Sequence, residues 1–231
     1  MGKNAVLLDL DGTLTDPYVG ITGSLQYVLE KMGRIVPPAE DLKWCIGPPI
    51  QSNVGILLGT EDPAQIQEGV RLYRERYSAI GKFENTLIDG IPEVLAQLVD
   101  AGMFLSLATS KLKTYAMEIV EHFDLRRHLH VVHGSELDGS NSDKGELVAH
   151  ILKTEDIEAA NAVMIGDRRF DIAGAEANAV VSIGVLWGYG DRNELEEAGA
   201  DHIATAPADL PGLIEAGFRL GRASRGLDTF I

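Results

Sequence analysis

The segment Asp9-Leu10-Asp11-Gly12-Thr13-Leu14-Thr15 constrains this chain more than any other. It follows an apolar run, Ala5-Val6-Leu7-Leu8, that is too short for a helix and suits a buried strand. A buried strand therefore ends in two carboxylates that flank a single residue on a Gly-Thr turn. On a continuing strand the two side chains would share a face. Where the chain turns, they can converge on one point. Neighbouring carboxylates repel, and each resists ionising unless a cation or a proton joins them. The plain alternative is a strand-end turn with solvated aspartates, so the rest of the chain has to decide.

From Asp89-Gly90 onward, strands and helices alternate. A helical stripe at Val94, Leu95, Leu98 and Val99 precedes a strand at 103–108 that ends in Thr109-Ser110-Lys111. A helix at 114–123 and a short strand at 130–133 follow. Lys144 falls just ahead of, or in the first turn of, a helix reaching about residue 152. A strand at 162–165 ends in Gly166-Asp167-Arg168-Arg169-Phe170-Asp171 and leads into a helix at 171–177. A strand at 180–185 and helices at 193–198 and 207–216 complete the series. Such alternation predicts a parallel sheet with helices on both faces, which binds ligands beyond the carboxyl ends of its strands. Three of those ends carry reactive groups: Asp9 and Asp11, Thr109 and Ser110, Asp167 and Asp171. Each group alone has a bland reading. Thr109-Ser110 or Asp171 can cap a helix, and Lys144 can be a solvated first-turn residue.

Residues 17–84 read differently. Apolar residues at 21, 25, 28, 29 and 32 form a helical stripe closed by Gly33, and further helices are expected at 39–45, 50–58 and 63–80. The expected organisation is a core of residues 1–16 plus 85–231 and an all-helical insert, 17–84. Within the insert, Gly47-Pro48-Pro49 makes a rigid loop, either a plain connector or a face held stiff towards a substrate. Residues 217–231 show little periodicity and are expected to be a mobile or loosely docked terminus.

Composition narrows the partners. The 231 residues carry 35 acidic and 20 basic side chains, a net charge of −15. That surface repels polyanions, which argues against long nucleic acid as a partner. A small anionic substrate needs local positive charge from a metal or from a few placed Lys and Arg. No apolar run approaches the roughly 18 residues of a membrane span, and no signal-like segment opens the chain, so a cytoplasmic protein is expected. Cys45 is the single cysteine and sits between Trp44 and Ile46, where a packed thiol is the expectation. His122, His128, His130 and His133 cluster in sequence but straddle a helix end and a strand, which favours surface or packing roles over a zinc site.

Taken together and in order, the Asp-x-Asp-Gly-Thr-Leu-Thr segment, the strand-end Thr109-Ser110, Lys144 before a helix and Gly166-Asp167-x-x-x-Asp171 resemble the four motifs of haloacid dehalogenase superfamily phosphatases. The resemblance spans residues 5 to about 214, and the helical insert matches that superfamily's C1 cap position. Residues 138–146 and 166–172 resemble the 5′-nucleotidase-like side of its phosphoglycolate phosphatase and nucleotidase branch. The resemblance implies a Rossmann-like three-layer α/β/α parallel-sheet core with an inserted all-helical cap domain. It implies a Mg²⁺-dependent phosphomonoester hydrolase that works through an aspartyl phosphate on a small phosphorylated metabolite, a nucleoside 5′-monophosphate or 2-phosphoglycolate. A phosphosugar mutase or phosphotransferase of the β-phosphoglucomutase type is the alternative on the same scaffold.

Under that resemblance Asp9 is the nucleophile, and Asp9, Asp167 and the backbone carbonyl of Asp11 hold Mg²⁺. Asp171 holds a metal-bound water or orients its neighbours. The Asp11 side chain serves as acid and then base. Gly12, Thr109, Ser110 and Lys144 bind the phosphoryl group. The physical need is plain: two like charges about 4 Å apart cost about 4 kcal/mol at an effective dielectric near 20, and the site must cancel that. Lys43 and Gly47 are candidate substrate contacts from the insert. Lys144 is followed by Gly145 where many relatives have proline. Arg168 and Arg169 set a basic pair beside the acidic site, either to balance charge or to touch substrate.

Overall fold

The computed structural model describes residues 3–227. The opening apolar run forms β1 (Ala5–Leu8), buried at all four positions. β2 (Thr15–Asp16) leads into α1 (Tyr18–Lys31), a 3₁₀ segment (Ala39–Cys45), α2 (Ile50–Leu58) and α3 (Pro63–Ala79). β3 (Thr86–Leu87) returns the chain to α4 (Ile91–Asp100), β4 (Phe104–Leu112), α5 (Lys113–His122), β5 (Val131–Ser135) and α6 (Lys144–Thr154). The last elements are β6 (Ala162–Gly166), α7 (Arg169–Glu176), β7 (Val181–Val185), α8 (Arg192–Glu197), β8 (His202–Ala204) and α9 (Leu210–Leu227).

Six strands form one sheet in the order β5-β4-β1-β6-β7-β8, parallel at every pairing. β1 lies between β4 and β6, so the ends of these three strands are neighbours. The sheet is covered on both faces, which is why its strands read as apolar runs instead of alternating ones. Val6 and Leu8 face a cluster that includes Leu95 of α4, Ile119 of α5 and Ile214 of α9. Ala5 and Leu7 face the opposite cluster, with Leu147 and Ile151 of α6 and Ala175 of α7. These three layers give the expected Rossmann-like α/β/α architecture.

Helices α1–α3 pack on one another around Leu25, Val28, Tyr73 and Tyr77, with Tyr115 and Tyr189 reaching in from the sheet side. Asp62 caps α3 by accepting from the Ala64 amide, and Pro63 opens its first turn. The chain leaves and rejoins the sheet unit through a two-stranded antiparallel ribbon in which Thr15 pairs with Leu87 and Asp16 with Thr86.

Several local expectations are corrected. β4 continues past Ala108 to Leu112, with an irregular register between those residues, so Thr109 and Ser110 lie within the strand and do not cap a helix. Residues 39–45 coil as a 3₁₀ helix. β8, only three residues long, carries no readable period. The expected loose terminus is instead helical as far as Leu227. Phe218 is buried, and Gly217 lies against Val163 and Val181. Residues 228–231 of that stretch lie outside the described residues.

Candidate active site

β1 delivers Asp9 to the rim of the sheet, where the Asp9 amide donates to Ile165 O at 2.9 Å and so sets it beside β6. The chain then turns sharply. The amides of Thr13, Leu14 and Thr15 all point at Leu10 O, at 3.3, 2.9 and 3.0 Å. Gly12 makes this turn with a φ of +81°, and a Cβ there would lie 2.1 Å from Asp167 Oδ2. Both the left-handed backbone and the close approach demand glycine. β6 ends at Gly166, where a Cβ would meet Asp171 Cγ at 2.1 Å.

The acidic groups from the two segments meet. One oxygen each from Asp9, Asp167 and Asp171 falls within 4.8 Å of the others, all three residues being buried. Lys144 opens α6, which Asp143 caps. Its ammonium donates to Asp9 Oδ1 and to Ala108 O, both at 2.7 Å, and forms an ion pair with Asp171 Oδ1 at 2.6 Å. Burial alone would lower the Lys144 pKa; Asp171 and Asp9 outweigh it and hold the ammonium above its ordinary value. Burial pushes Asp167 well above the usual carboxylate range, and the charges of Asp171 and Asp9 push the same way. Burial also raises Asp171, against the pull of Lys144. Asp167 Oδ2 accepts from the Tyr189 amide at 2.7 Å, whereas its Oδ1 is buried with no hydrogen-bond partner among the described residues.

Asp11 sits at the edge of this cluster. Lys111 Nζ lies 2.8 Å from its Oδ2, and Oδ1 is buried without a partner among the described residues. Burial raises the Asp11 pKa, opposed by Lys111. Thr109 is buried, and its hydroxyl accepts from the Lys111 amide at 3.2 Å. Asp11, Ser110 and Lys111 border a cavity of about 90 Å³ whose other walls include Gly47, Tyr73 and Tyr77 of the helical unit.

The structure therefore brings Asp9, Asp11, Gly12, Thr109, Ser110, Lys144, Asp167 and Asp171 to one rim, and Gly47 to the cavity facing it. Lys43 does not line that cavity: its ammonium pairs with Glu40 at 2.5 Å, half exposed, in a second depression that Gly12 and Tyr189 also line. Arg168 is buried; its guanidinium donates to Ile46 O and, at 2.9 Å, to Glu194. Gly47 rests on it, with φ +106° and room for a Cβ only 2.9 Å from Arg168 Cγ. Arg168 thus fastens the loop 46–47 to the sheet unit, while Arg169 is exposed beside Phe170. The histidines are scattered: His122 packs on Phe83 and Phe123, His130 on Phe104, and His133 pairs with Glu155 at 3.0 Å. Cys45 is buried, its thiol pushed up to about 12 by burial.

The sequence reading passed over Lys111, Tyr77 and Tyr189. Lys111 directly follows Thr109-Ser110, so its place at a strand end was visible, but its partners are distant in sequence. Tyr189 contributes a backbone amide, which no side-chain pattern announces.

Comparison with known proteins agrees with this geometry. The family model for haloacid dehalogenase-like hydrolases matches residues 6–185. A Pseudomonas aeruginosa protein named 5′-nucleotidase is 43% identical, over 91% of this chain and 95% of its own. A Mycobacterium tuberculosis protein named tyrosine-protein kinase PtkA is 36% identical, over 91% of this chain and 71% of its own. A crystal structure of a predicted phosphatase from Clostridium acetobutylicum superposes with a TM-score of 0.89 at 37% identity, covering 94% of this chain and all of that one. With its sheet order, its clustered rim and these relatives, the chain belongs to the haloacid dehalogenase-like hydrolase family, among its phosphatases.

Proposed function

We propose that this protein hydrolyses a small phosphomonoester through a phosphorylated Asp9, with the helical unit 17–84 acting as a cap over the core formed by 1–16 and 85–231. The observation that carries the reading is the meeting of Asp9, Asp167 and Asp171, with Lys144 paired to Asp9 and Asp171. All three carboxylates are buried, and Asp167 Oδ1 is unsatisfied among the described residues. An all-oxygen, anionic set of this kind fits a hard divalent cation such as Mg²⁺. Asp9, Asp167 and the Asp11 carbonyl would hold it, and when bound it would supply positive charge to the phosphoryl oxygens.

The remaining work falls to the chain itself. A carboxylate oxygen of Asp9 bonds to phosphorus as the bond from phosphorus to the leaving oxygen breaks. Asp11 passes its proton to that oxygen, and an alcohol departs. Water then bonds to phosphorus and gives a proton to Asp11, the Asp9–phosphorus bond breaks, and phosphate leaves. Lys144 holds Asp9 and, with the Thr109 hydroxyl and nearby amides, offers positive charge and donors to the phosphoryl group. Asp171 keeps Lys144 in place.

The finer reading is a nucleoside 5′-monophosphate or 2-phosphoglycolate as substrate. The likeness to the Pseudomonas 5′-nucleotidase supports the former. Gly47, in the cavity wall, is a substrate-facing candidate; Lys43 would reach substrate only if it left Glu40. A phosphate-release screen over 5′-nucleotides, phosphoglycolate and sugar phosphates with Mg²⁺ tests the proposal. Release from at least one of them, abolished in Asp9→Asn, is expected. No release from any, or an active Asp9→Asn, would overturn it. Transfer to a sugar in place of water would favour the mutase reading.

A further inference from the structure

Lys111 has no part in the chemistry just described, yet its side chain is only 6% exposed. Its ammonium is divided between two units. One partner is Asp11 Oδ2 at 2.8 Å; the other is the hydroxyl of Tyr77 in α3, which accepts from it. Tyr77 is itself fixed: 1% exposed, stacked on Tyr73 at 5.1 Å and set against Tyr115 at 5.5 Å. Burying a charge in this way is costly unless its protons are used.

Asp11 is held by one oxygen only. With Oδ2 paired to Lys111 and Oδ1 unpartnered among the described residues, one oxygen of the group is fixed and the other left open. Oδ1 is then the oxygen free to give a proton to a leaving group or to take one from water. We infer that Lys111 is a positioning residue, which fixes Asp11 through Oδ2 and is itself held in place by the Tyr77 hydroxyl of the seated cap. Through these two contacts the Asp11 side chain is tied to α3 of the helical unit. This inference rests on the acid–base role proposed for Asp11.

Leaving groups provide the test. An alkyl phosphomonoester needs its departing oxygen protonated; p-nitrophenyl phosphate, whose leaving anion is stable, needs this far less. The measurement is kcat/KM, which reports the step that expels the leaving group. Asp11→Asn should lower it for the best alkyl ester of the screen by about 100-fold more than for p-nitrophenyl phosphate. Lys111→Met should show the same preference at about tenfold, Tyr77→Phe at about threefold, and Lys111→Arg should recover part of the loss. The double variant Lys111→Met/Tyr77→Phe should be no worse than Lys111→Met, because the hydroxyl acts only through the ammonium. Thermal melts check that each variant folds, and Tyr77→Phe, which keeps the ring stack, carries the test if Lys111→Met does not. With Asp11→Asn behaving as stated, equal losses on both esters for Lys111→Met and Tyr77→Phe would overturn the inference alone, as would losses that multiply in the double variant. Equal losses for Asp11→Asn would overturn the acid–base role and this inference with it.

Discussion

At the residue scale the rim is a balance of buried charge. Lys144→Met would leave Asp9 and Asp171 facing each other across a methyl group, and removing one partner of such a buried set costs about 3 kcal/mol. Urea unfolding near neutral pH should show that loss, and phosphatase activity should fall by about 100-fold or more. Gly12→Ala meets two penalties at once, a left-handed backbone and a Cβ 2.1 Å from Asp167 Oδ2. Activity is expected to drop with it even where the fold survives. Protons enter the same balance. Burial raises Asp11, Asp167 and Asp171 above the ordinary 3.8. Groups that hold their protons more tightly when folded stabilise the fold below their unfolded pKa, and that contribution disappears as pH rises through the folded values. A divalent ion competes with those protons. The Tm difference between protein in Mg²⁺ and protein in EDTA should therefore grow as pH rises from about 4 towards neutrality. A difference that ignores pH would remove the carboxylate cluster as the metal's seat. The residues of this balance were legible because each lies at a strand end or a helix start, the positions that alternating strands and helices mark out. Lys111 was not, since its meaning depends on Tyr77, whose place is set by how the helical unit packs.

At the element scale the sequence spoke clearly wherever a strand was buried on both faces and a helix carried a stripe, as with β1, β6 and α4. It was weakest where the decisive contact was tertiary. β4 overruns Ala108 because β5 pairs again at Ser135 opposite Leu112. α9 overruns residue 216 because glycine at 217 allows close approach to Val163 and Val181, and Phe218 then enters the core. Phe218→Ala should cost about 3 kcal/mol in urea unfolding, which a loosely docked terminus would not. In the sequence the Arg168–Arg169 pair reads either as charge balance or as a substrate contact. The bonds of Arg168 to Ile46 O and Glu194 make it a brace between the loop after β6 and the helical unit.

For the whole molecule, the two units meet across the cavity and are joined covalently only through the ribbon of β2 and β3. Binding at the rim should draw them together. Hydrogen exchange with orthovanadate and Mg²⁺ should show added protection at residues 45–53, 73–77 and 110–115, with little change in β7 and β8. A net charge of −15 opposes the approach of long polyanions, so a competing excess of duplex DNA is expected not to inhibit phosphate release. No helix among the described residues is long and apolar enough to cross a membrane.

Thr15 and Asp16 run out beside Leu87 and Thr86 as they run back. The whole helical segment therefore hangs from a single doorway, with both jambs already hydrogen-bonded to each other. A different insert spliced between those jambs would need no rethreading of the sheet. The threading of the six strands is thus indifferent to what hangs from the doorway.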